Sequence, residues 1–322
     1  MLRALITGIN GFCGRHLARW LLQQGWEVAG LEAPSAKELP PELSSIPLAL
    51  VDIRDEVALS MAVAEIAPNY IFHLAGFLVP PADPGGQRQL YEVNLQGTIN
   101  LLEAARALEK NVVVQLAGSA AAYGRVPPEA NPIGEDCSFW PVNPYGVSKA
   151  AQDLVGYQYY VAYSLRVIRT RAFNITGPGE SPLLASSGFA RQIAEIERGL
   201  RPPVIHVGNL KPERDFVDVR DAVRAYWLAA LHGLPGEAYN VCSGRPRSIR
   251  SVLETLLALS KVPIRVEQDP ARMRPSDIPT QCGDYSKLHA LTSWQPEIPF
   301  EQAMAELLAH WRAQTKTKED GE

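Results

Sequence analysis

Gly8-Ile9-Asn10-Gly11-Phe12-Cys13-Gly14 lies between a short apolar run, Ala4–Thr7, and a stretch in which Leu17, Trp20 and Leu21 fall at i, i+3 and i+4. The run has the composition of a strand buried on both faces. The stretch after it has the spacing of an amphipathic helix that stops at Gly25. Glycines at such a junction let the backbone turn tightly and approach a pyrophosphate, while the helix N-terminus offers free N–H groups and partial positive charge. The spacing is G-x-x-G-x-x-G, and an ordinary glycine-rich turn would look the same in isolation. The next apolar run, Glu27–Glu32, supplies the context, because it ends in an acid able to accept from both hydroxyls of an adenosine ribose. Gly8, Asn10, Gly11, Phe12 and Gly14 are therefore expected to cradle a dinucleotide, with Glu32 on its ribose.

Working outward, the alternation continues. Leu48–Val51, Tyr70–Leu74 and Val112–Ala117 read as further strands, and Glu56–Ile66 and Leu90–Leu108 as helices. Repeated strand–helix units predict an α/β fold with a doubly wound parallel sheet. Asp52 and Ile53, after the third strand, are expected to flank the adenine. Ala75 and Gly76 follow the fourth strand at the C-terminal sheet edge, where small residues let a cofactor approach. The second half is less regular. Pro, Gly and Ser cluster over Gly177–Gly188, followed by a helix Phe189–Gly199, a strand Val204–Val207 and helices Val219–Leu231, Ser248–Ser260 and Phe300–Trp311. Residues 1–172, with returning segments near 214–245, are expected to bind the cofactor. A smaller mixed lobe of 173–213 and 246–312 is expected to bind the substrate, with 313–322 a disordered tail.

Composition narrows the partners. The 322 residues are 46% hydrophobic and 20% charged, with a formal net charge of −4, which leaves no basic footprint for nucleic acid or an anionic membrane. Cys13, Cys137, Cys242 and Cys282 are far apart and form no C-x-x-C pair, so reduced thiols in a cytoplasmic protein, without a metal, are the simplest reading. The N-terminus enters a strand at once without a signal-peptide layout, and no apolar run reaches membrane-spanning length.

The sharpest chemical signal is Asn143-Pro144-Tyr145-Gly146-Val147-Ser148-Lys149. Asn143 is a good helix N-cap and Pro144 suits the first helical position, which puts Tyr145 and Lys149 one turn apart on one face. A phenol titrates near ~10 unperturbed, and a neighbouring ammonium stabilises the phenolate and brings the group toward working range. Ser119, just past the fifth strand, could hydrogen-bond a substrate carbonyl or alkoxide. Together these residues predict a constellation in which Ser119 positions an oxygen, Tyr145 transfers its proton, and Lys149 tunes the tyrosine and holds the nicotinamide ribose.

The glycine turn, Ser119 and the Tyr145/Lys149 pair resemble the extended short-chain dehydrogenase/reductases, whose fold is of the Rossmann type, and the resemblance runs essentially end to end. Phe173-Asn174-Ile175-Thr176-Gly177-Pro178-Gly179, Val207-Gly208-Asn209-Leu210, Arg214-Asp215-Phe216-Val217-Asp218-Val219 and Arg274-Pro275-Ser276-Asp277-Ile278-Pro279 look like the GDP-mannose branch of that family. Within it, Arg220–Trp227 and Tyr239–Gly244 are most similar to the GDP-4-keto-6-deoxymannose reductases. Asn94 is a further candidate for the cofactor site, and the resemblance implies that Asn174 contacts the phosphates or sugar. It also pairs Arg214 and Arg274 with the diphosphate and gives Asp277 the nucleoside ribose. Phe189 and Gln192 are candidates for the base pocket.

Three reactions share this constellation. A 4,6-dehydratase needs an additional acid–base group, and the related dehydratases carry a glutamate where this sequence has Ala121, so dehydration is disfavoured. Reduction of a GDP-4-keto-6-deoxyhexose is expected, with an NAD-dependent nucleotide-sugar 4-epimerase as the alternative and a non-catalytic nucleotide-binding protein as the remaining one. Glu32 points to NADH in preference to NADPH, with NADP possible if Lys37, the cation nearby, swings in. Apolar and aromatic residues beyond one inward stripe of Leu90–Leu108 and Pro144–Tyr163, Tyr157, Tyr159 and Tyr160 among them, predict a homodimer.

Overall fold

The computed structural model describes residues 2–80, 85–108, 110–273 and 278–315. In chain order the first half contains β1 (Arg3–Thr7), α1 (Phe12–Gln23), β2 (Glu27–Glu32), β3 (Leu48–Leu50), α2 (Glu56–Ile66), β4 (Tyr70–His73), α3 (Gly86–Tyr91), α4 (Gly97–Arg106), β5 (Val113–Ser119) and α5 (Pro144–Tyr163). The rest comprises β6 (Arg166–Ala172), β7 (Asn174–Thr176), α6 (Ala185–Glu197), β8 (Val204–Val207), β9 (Glu213–Asp218), α7 (Val219–His232), β10 (Ala238–Val241), β11 (Pro246–Ser248), α8 (Ile249–Ala258), β12 (Arg265–Gln268), β13 (Thr280–Gln281), α9 (Ser286–Thr292) and α10 (Phe300–Gln314).

Strand residues alternate between two cores, which is why these runs are apolar without a polar face. Ala4 and Ile6 of β1 join Phe72 and Ile168 on the side covered by α1 and α7, while Leu5 joins Ile71 and Val167 on the side of α2 and α4. The seven strands order as β10-β6-β5-β4-β1-β2-β3, and every adjacent pair is parallel. Strand order reverses between β1 and β4, and a doubly wound sheet binds its ligands at the C-terminal ends of such a pair. Gly8 and Ala75 emerge there, so close that a Cβ on Gly8 would lie 2.9 Å from the Ala75 Cα.

The smaller lobe has its own core, in which Phe189 and Ile193 of α6, Val252 and Leu256 of α8, and Met304 and Leu307 of α10 pack together. Over it lie a mixed sheet ordered β11-β9-β13, with β7 also on β9, and the pair β12-β8.

Four differences from the sequence reading have physical causes. The helix expected at Phe189 begins at Ala185, because the hydroxyls of Ser186 and Ser187 are bound to Glu180 and the serine-rich segment is free to form the first turn. The stretch Leu90–Leu108 is helical but carries a π-turn over Glu92–Gln96 between α3 and α4. β6 escaped detection because Arg166, Arg169 and Arg171 interrupt its apolar pattern; Arg169 and Arg171 are held inside by the buried Asp153. The last helix runs to Gln314, past the expected start of a tail, and 316–322 lie outside the described residues.

Candidate active site

α5 opens as its residues dictate: the Asn143 Oδ1 accepts from the Gly146 N–H at 2.8 Å, and Pro144 takes the first helical position. Gly146 lets the helix start close against the turn after β5, since a Cβ there would sit 2.5 Å from the Ala121 carbonyl oxygen. That approach brings Tyr145 into hydrogen bonding with Ser119. Ser119 caps the short 3-10 turn Ala120–Ala122, its Oγ accepting from the Ala121 N–H at 3.1 Å. Lys149, 6% exposed, donates from Nζ to the Ala117 carbonyl at 2.9 Å and to the Gln152 Oε1 at 2.8 Å. Its Nζ lies 5.9 Å from the Tyr145 ring centroid.

The electrostatics differ from the expectation that the lysine brings the phenol down. Burial pushes the Tyr145 phenol up to about 12, against a lowering hydrogen bond from Ser119. Burial also brings the Lys149 ammonium down to about 8. The tyrosine is thus held as a neutral acid, the form that gives up a proton to a carbonyl being reduced.

On the cofactor side, Gly14 is the tight contact: a Cβ there would meet the Gly8 carbonyl oxygen at 2.2 Å, so α1 can start directly under the turn only with glycine at this position. The Glu32 carboxylate accepts from the Asn10 backbone N–H, and burial raises its pKa. The Asn10 Nδ2 donates to the Lys37 carbonyl at 2.6 Å. The cation that joins this corner is Arg15, whose Nε donates to the Asn10 Oδ1 at 2.9 Å and whose charge acts on Glu32. Sequence reasoning named Lys37 and missed Arg15, which faces Glu32 because it lies one turn into α1. Asp52 is paired with Arg54 at 2.6 Å, and Ile53 is buried, its Cγ2 within 2.6 Å of where a Cβ on Gly97 would stand. Ala75 N–H is held by the Thr7 hydroxyl at 3.2 Å. Gly76 lies beside Lys149, 3.9 Å from its Nζ to a Cβ built on the glycine. Asn94 spends its amide on the Phe77 backbone and on the Ser148 Oγ, fastening the segment after β4 to α5.

On the substrate side, a cavity of about 430 Å³ gathers Asn174, Phe189, Gln192 and Arg214. The register of the large sheet connects it to the chemistry, because Ser119 is opposite Ala172 and Asn174 follows two residues later. Arg214 is braced by the Glu213 carbonyl at 2.8 Å and the Ile278 carbonyl at 2.7 Å. His206, Asn209 and Arg272 also line the cavity and were not anticipated, although His206 and Asn209 border or belong to the Val207–Leu210 stretch singled out by resemblance. Arg274 and Asp277 lie outside the described residues. Where a dehydratase would need an acid, Ala121 offers only its backbone, and Tyr123 nearby is fully buried with its hydroxyl bound to Asn240 and Arg171. Among the described residues no group of His, Cys, Asp and Glu could hold a metal ion, and no helix is long and apolar enough to cross a membrane.

The arrangement fits a nicotinamide dinucleotide: a glycine cradle at a helix N-terminus, an acid at the end of β2, and a buried Ser–Tyr–Lys cluster at the same sheet edge. Comparison with known proteins agrees. The family model for GDP-mannose 4,6 dehydratase matches residues 5–307. The chain is 34% identical to GDP-6-deoxy-D-mannose reductase of Pseudomonas aeruginosa over 314 residues, covering 98% of each. Among solved structures, RMD from Pseudomonas aeruginosa complexed with NADPH superposes with a TM-score of 0.83 at 32% identity, over 98% of this chain and 100% of that one. Thermus thermophilus UDP-glucose 4-epimerase in complex with NAD does so at 0.84 and 30%, over the same shares.

Proposed function

This chain belongs to the GDP-mannose 4,6-dehydratase family of extended short-chain dehydrogenase/reductases, and from that premise we propose that it reduces a GDP-4-keto-6-deoxyhexose, GDP-4-keto-6-deoxy-D-mannose, to the corresponding GDP-6-deoxyhexose. The observation that carries this reading is the hydrogen-bonded Ser119–Tyr145 pair beside Lys149, one strand register from the cavity that holds Asn174 and Arg214, with Ala121 where dehydration would need an acid.

A bound dihydronicotinamide supplies the hydride. Tyr145 gives its phenolic proton to the sugar C4 oxygen as that oxygen gains charge, and Ser119 orients the same oxygen. Lys149 keeps positive charge beside the phenolate that forms and reaches toward the nicotinamide ribose. Gly8, Asn10, Gly11, Phe12 and Gly14 hold the pyrophosphate, with Glu32 on the adenosine ribose. Asp52, Ile53, Ala75, Gly76 and Asn94 shape the walls of that groove. Arg214 faces the diphosphate together with Arg274, a guanidinium pair being the natural counter-charge in a chain of net charge −4. Asn174 meets the phosphates or sugar, Phe189 and Gln192 meet the base, and Asp277 takes the nucleoside ribose.

The division of labour in this reading follows residues 1–172 with 214–245 for the cofactor, and 173–213 with 246–312 for the sugar nucleotide. Glu213–Asp218 is carried in the small sheet and α7 lies against the large one. The enzyme works in the cytoplasm as a homodimer and prefers NADH.

The test is to incubate the purified protein with GDP-4-keto-6-deoxy-D-mannose and NADH or NADPH, and to identify the sugar formed. Stoichiometric oxidation of the nicotinamide with appearance of a GDP-6-deoxyhexose supports the reading. No consumption of either cofactor overturns it. An epimerase is the second reading, favoured by the likeness to the NAD-bound 4-epimerase and by Glu32. It requires interconversion of C4 epimers of a nucleotide sugar with no net consumption of cofactor.

A further inference from the structure

Lys149 is anchored from below by a chain of buried polar groups that the reaction itself does not use. The Gln152 Oε1 accepts from the Lys149 Nζ at 2.8 Å, and the Gln152 Nε2 donates to the Thr98 Oγ1 at 3.1 Å. Thr98 in turn donates to the Asn94 carbonyl at 2.7 Å and meets the His73 Nε2 at 2.9 Å. The His73 Nδ1 lies 2.8 Å from the Thr7 Oγ1, which accepts from the Ala75 N–H at 3.2 Å. Gln152, Thr98, His73 and Thr7 are 1% exposed or less.

Donor counting leaves one arrangement of protons. An ammonium only donates, so the oxygen of the Gln152 amide faces Lys149 and the nitrogen faces Thr98. The single proton of Thr98 goes to the Asn94 carbonyl, so the His73 Nε2 carries a hydrogen. The His73 Nδ1 then accepts from Thr7. The donations of this chain end on the Asn94 carbonyl, and its link to Lys149 passes through a carboxamide. The chain therefore does not carry a proton away from Lys149. It holds the ammonium still.

We propose that Gln152 is a positioning residue, which with Thr98 and His73 fixes Lys149 so that its third N–H is directed past Gly76 to the nicotinamide ribose. The proposal rests on the reading that Tyr145 and Lys149 carry the hydride chemistry. An ammonium has three donors, and among the described residues two are spent on Ala117 and Gln152. Gly76, where a built Cβ would stand 3.9 Å from the Nζ and 2.9 Å from the Asn94 Oδ1, borders the side left for the last one. With an apolar residue at position 152 the ammonium would retain one protein acceptor in a dry site, favouring the neutral amine. A glutamate at 152, similar in shape, would favour the charge.

The groups that face Lys149 are Tyr145 on its own helix, Cys13 of α1 and His73 of β4. Burial holds Tyr145 and Cys13 up at about 12, and burial with the Lys149 charge holds His73 down to about 3. Lys149, at about 8, is the member of this set that titrates in the accessible range. Its charge is needed, so cofactor affinity and kcat/KM fall as pH rises through its pKa.

The experiment measures NADH affinity, by energy transfer from tryptophan, and kcat/KM between about pH 6 and 10 for the parent, Gln152→Leu and Gln152→Glu. The basic limb is expected to move up by about one pH unit in Gln152→Glu and down by about one in Gln152→Leu. NADH affinity at neutral pH should drop severalfold in the leucine variant only. Limbs unchanged in both variants overturn the proposal. If the leucine variant does not fold, Gln152→Ala takes its place, and a basic limb and an NADH affinity both unchanged in the alanine variant overturn the proposal. The binding limb needs no sugar nucleotide, so a failure of the proposed substrate shows as absent turnover with the cofactor limb intact.

Discussion

In the proposed reaction Tyr145 has to be neutral before hydride transfer and anionic just after it. Burial favours the first state, while the Ser119 hydrogen bond and the Lys149 charge ease the second. Tyr145→Phe keeps the ring and removes only the acid, so kcat should fall by about 10²–10⁴-fold, the usual contribution of a positioned proton donor. The NADH dissociation constant should stay within about twofold, because it depends on Lys149 and the glycine turn. Residual turnover within tenfold of the parent would remove Tyr145 from its role. In the same reading, at the other end of the cofactor Glu32 would meet two hydroxyls with NAD but a dianion with NADP. Like charges at roughly 4 Å cost on the order of a few kcal/mol at intermediate dielectric. NADH should therefore have the higher kcat/KM, and Glu32→Ser should bring the two cofactors together. Arg15 makes this the more demanding test: its guanidinium beside Asn10 can meet a 2′-phosphate, and equal use of NADPH by the parent would mean that Arg15 outweighs Glu32. Glu32 was legible because it ends a strand after a glycine turn. Arg15 was not, because a helix-face cation carries no pattern of its own until the turn it belongs to is folded over β2.

The candidate active site depends on two elements meeting at one point, the C-terminal end of β5 and the first turn of α5. Their meeting was legible in pieces: Asn143 and Pro144 announce a helix start, and Ser119 closes an apolar run. The contact that joins them is a backbone approach, with Gly146 against the Ala121 carbonyl, and a glycine in a helix gives no sign in the sequence of what it lies against. Gly146→Ala should therefore act on the element as a whole. A Cβ 2.5 Å from that oxygen has only backbone to push, so the helix start must shift. The expected stability loss is about 1–3 kcal/mol by denaturant titration. kcat should drop while binding of GDP, which the reading assigns to the residues of the small lobe, is unchanged, and an alanine variant with parental kcat would show that the Ser119–Tyr145 contact tolerates displacement. β6 marks the opposite limit of sequence reading. Its arginines argue against a central strand until Asp153 of α5 is seen to pair with both Arg169 and Arg171 inside the protein.

For the whole molecule, α5 poses a problem that one copy of the chain does not solve. The helix has 20 residues, about 30 Å of length. Its charged residues, Lys149 and Asp153, both point inward, so its outer face carries no charge. That face instead presents Val147 at 42% exposure, Leu154 at 57%, Tyr157 at 48% and Val161 at 62%, spaced along a single stripe. Tyr159, grouped with the outward aromatics by sequence, is instead buried on Glu103 of α4, which separates the inward stripe from the outward one. Helices that remain in water carry polar or charged residues outside, and contiguous apolar patches of this kind mark association surfaces. A second copy related by a twofold axis would cover the stripe with the same stripe, an isologous contact that needs no other partner. The protein is therefore expected to behave as a homodimer in light scattering at micromolar concentration. Leu154→Arg with Val161→Asp should yield a monomer with its cofactor affinity retained, because Lys149 lies on the opposite side of the helix. A parent that scatters as a monomer, or a double variant that stays dimeric, would place the contact elsewhere.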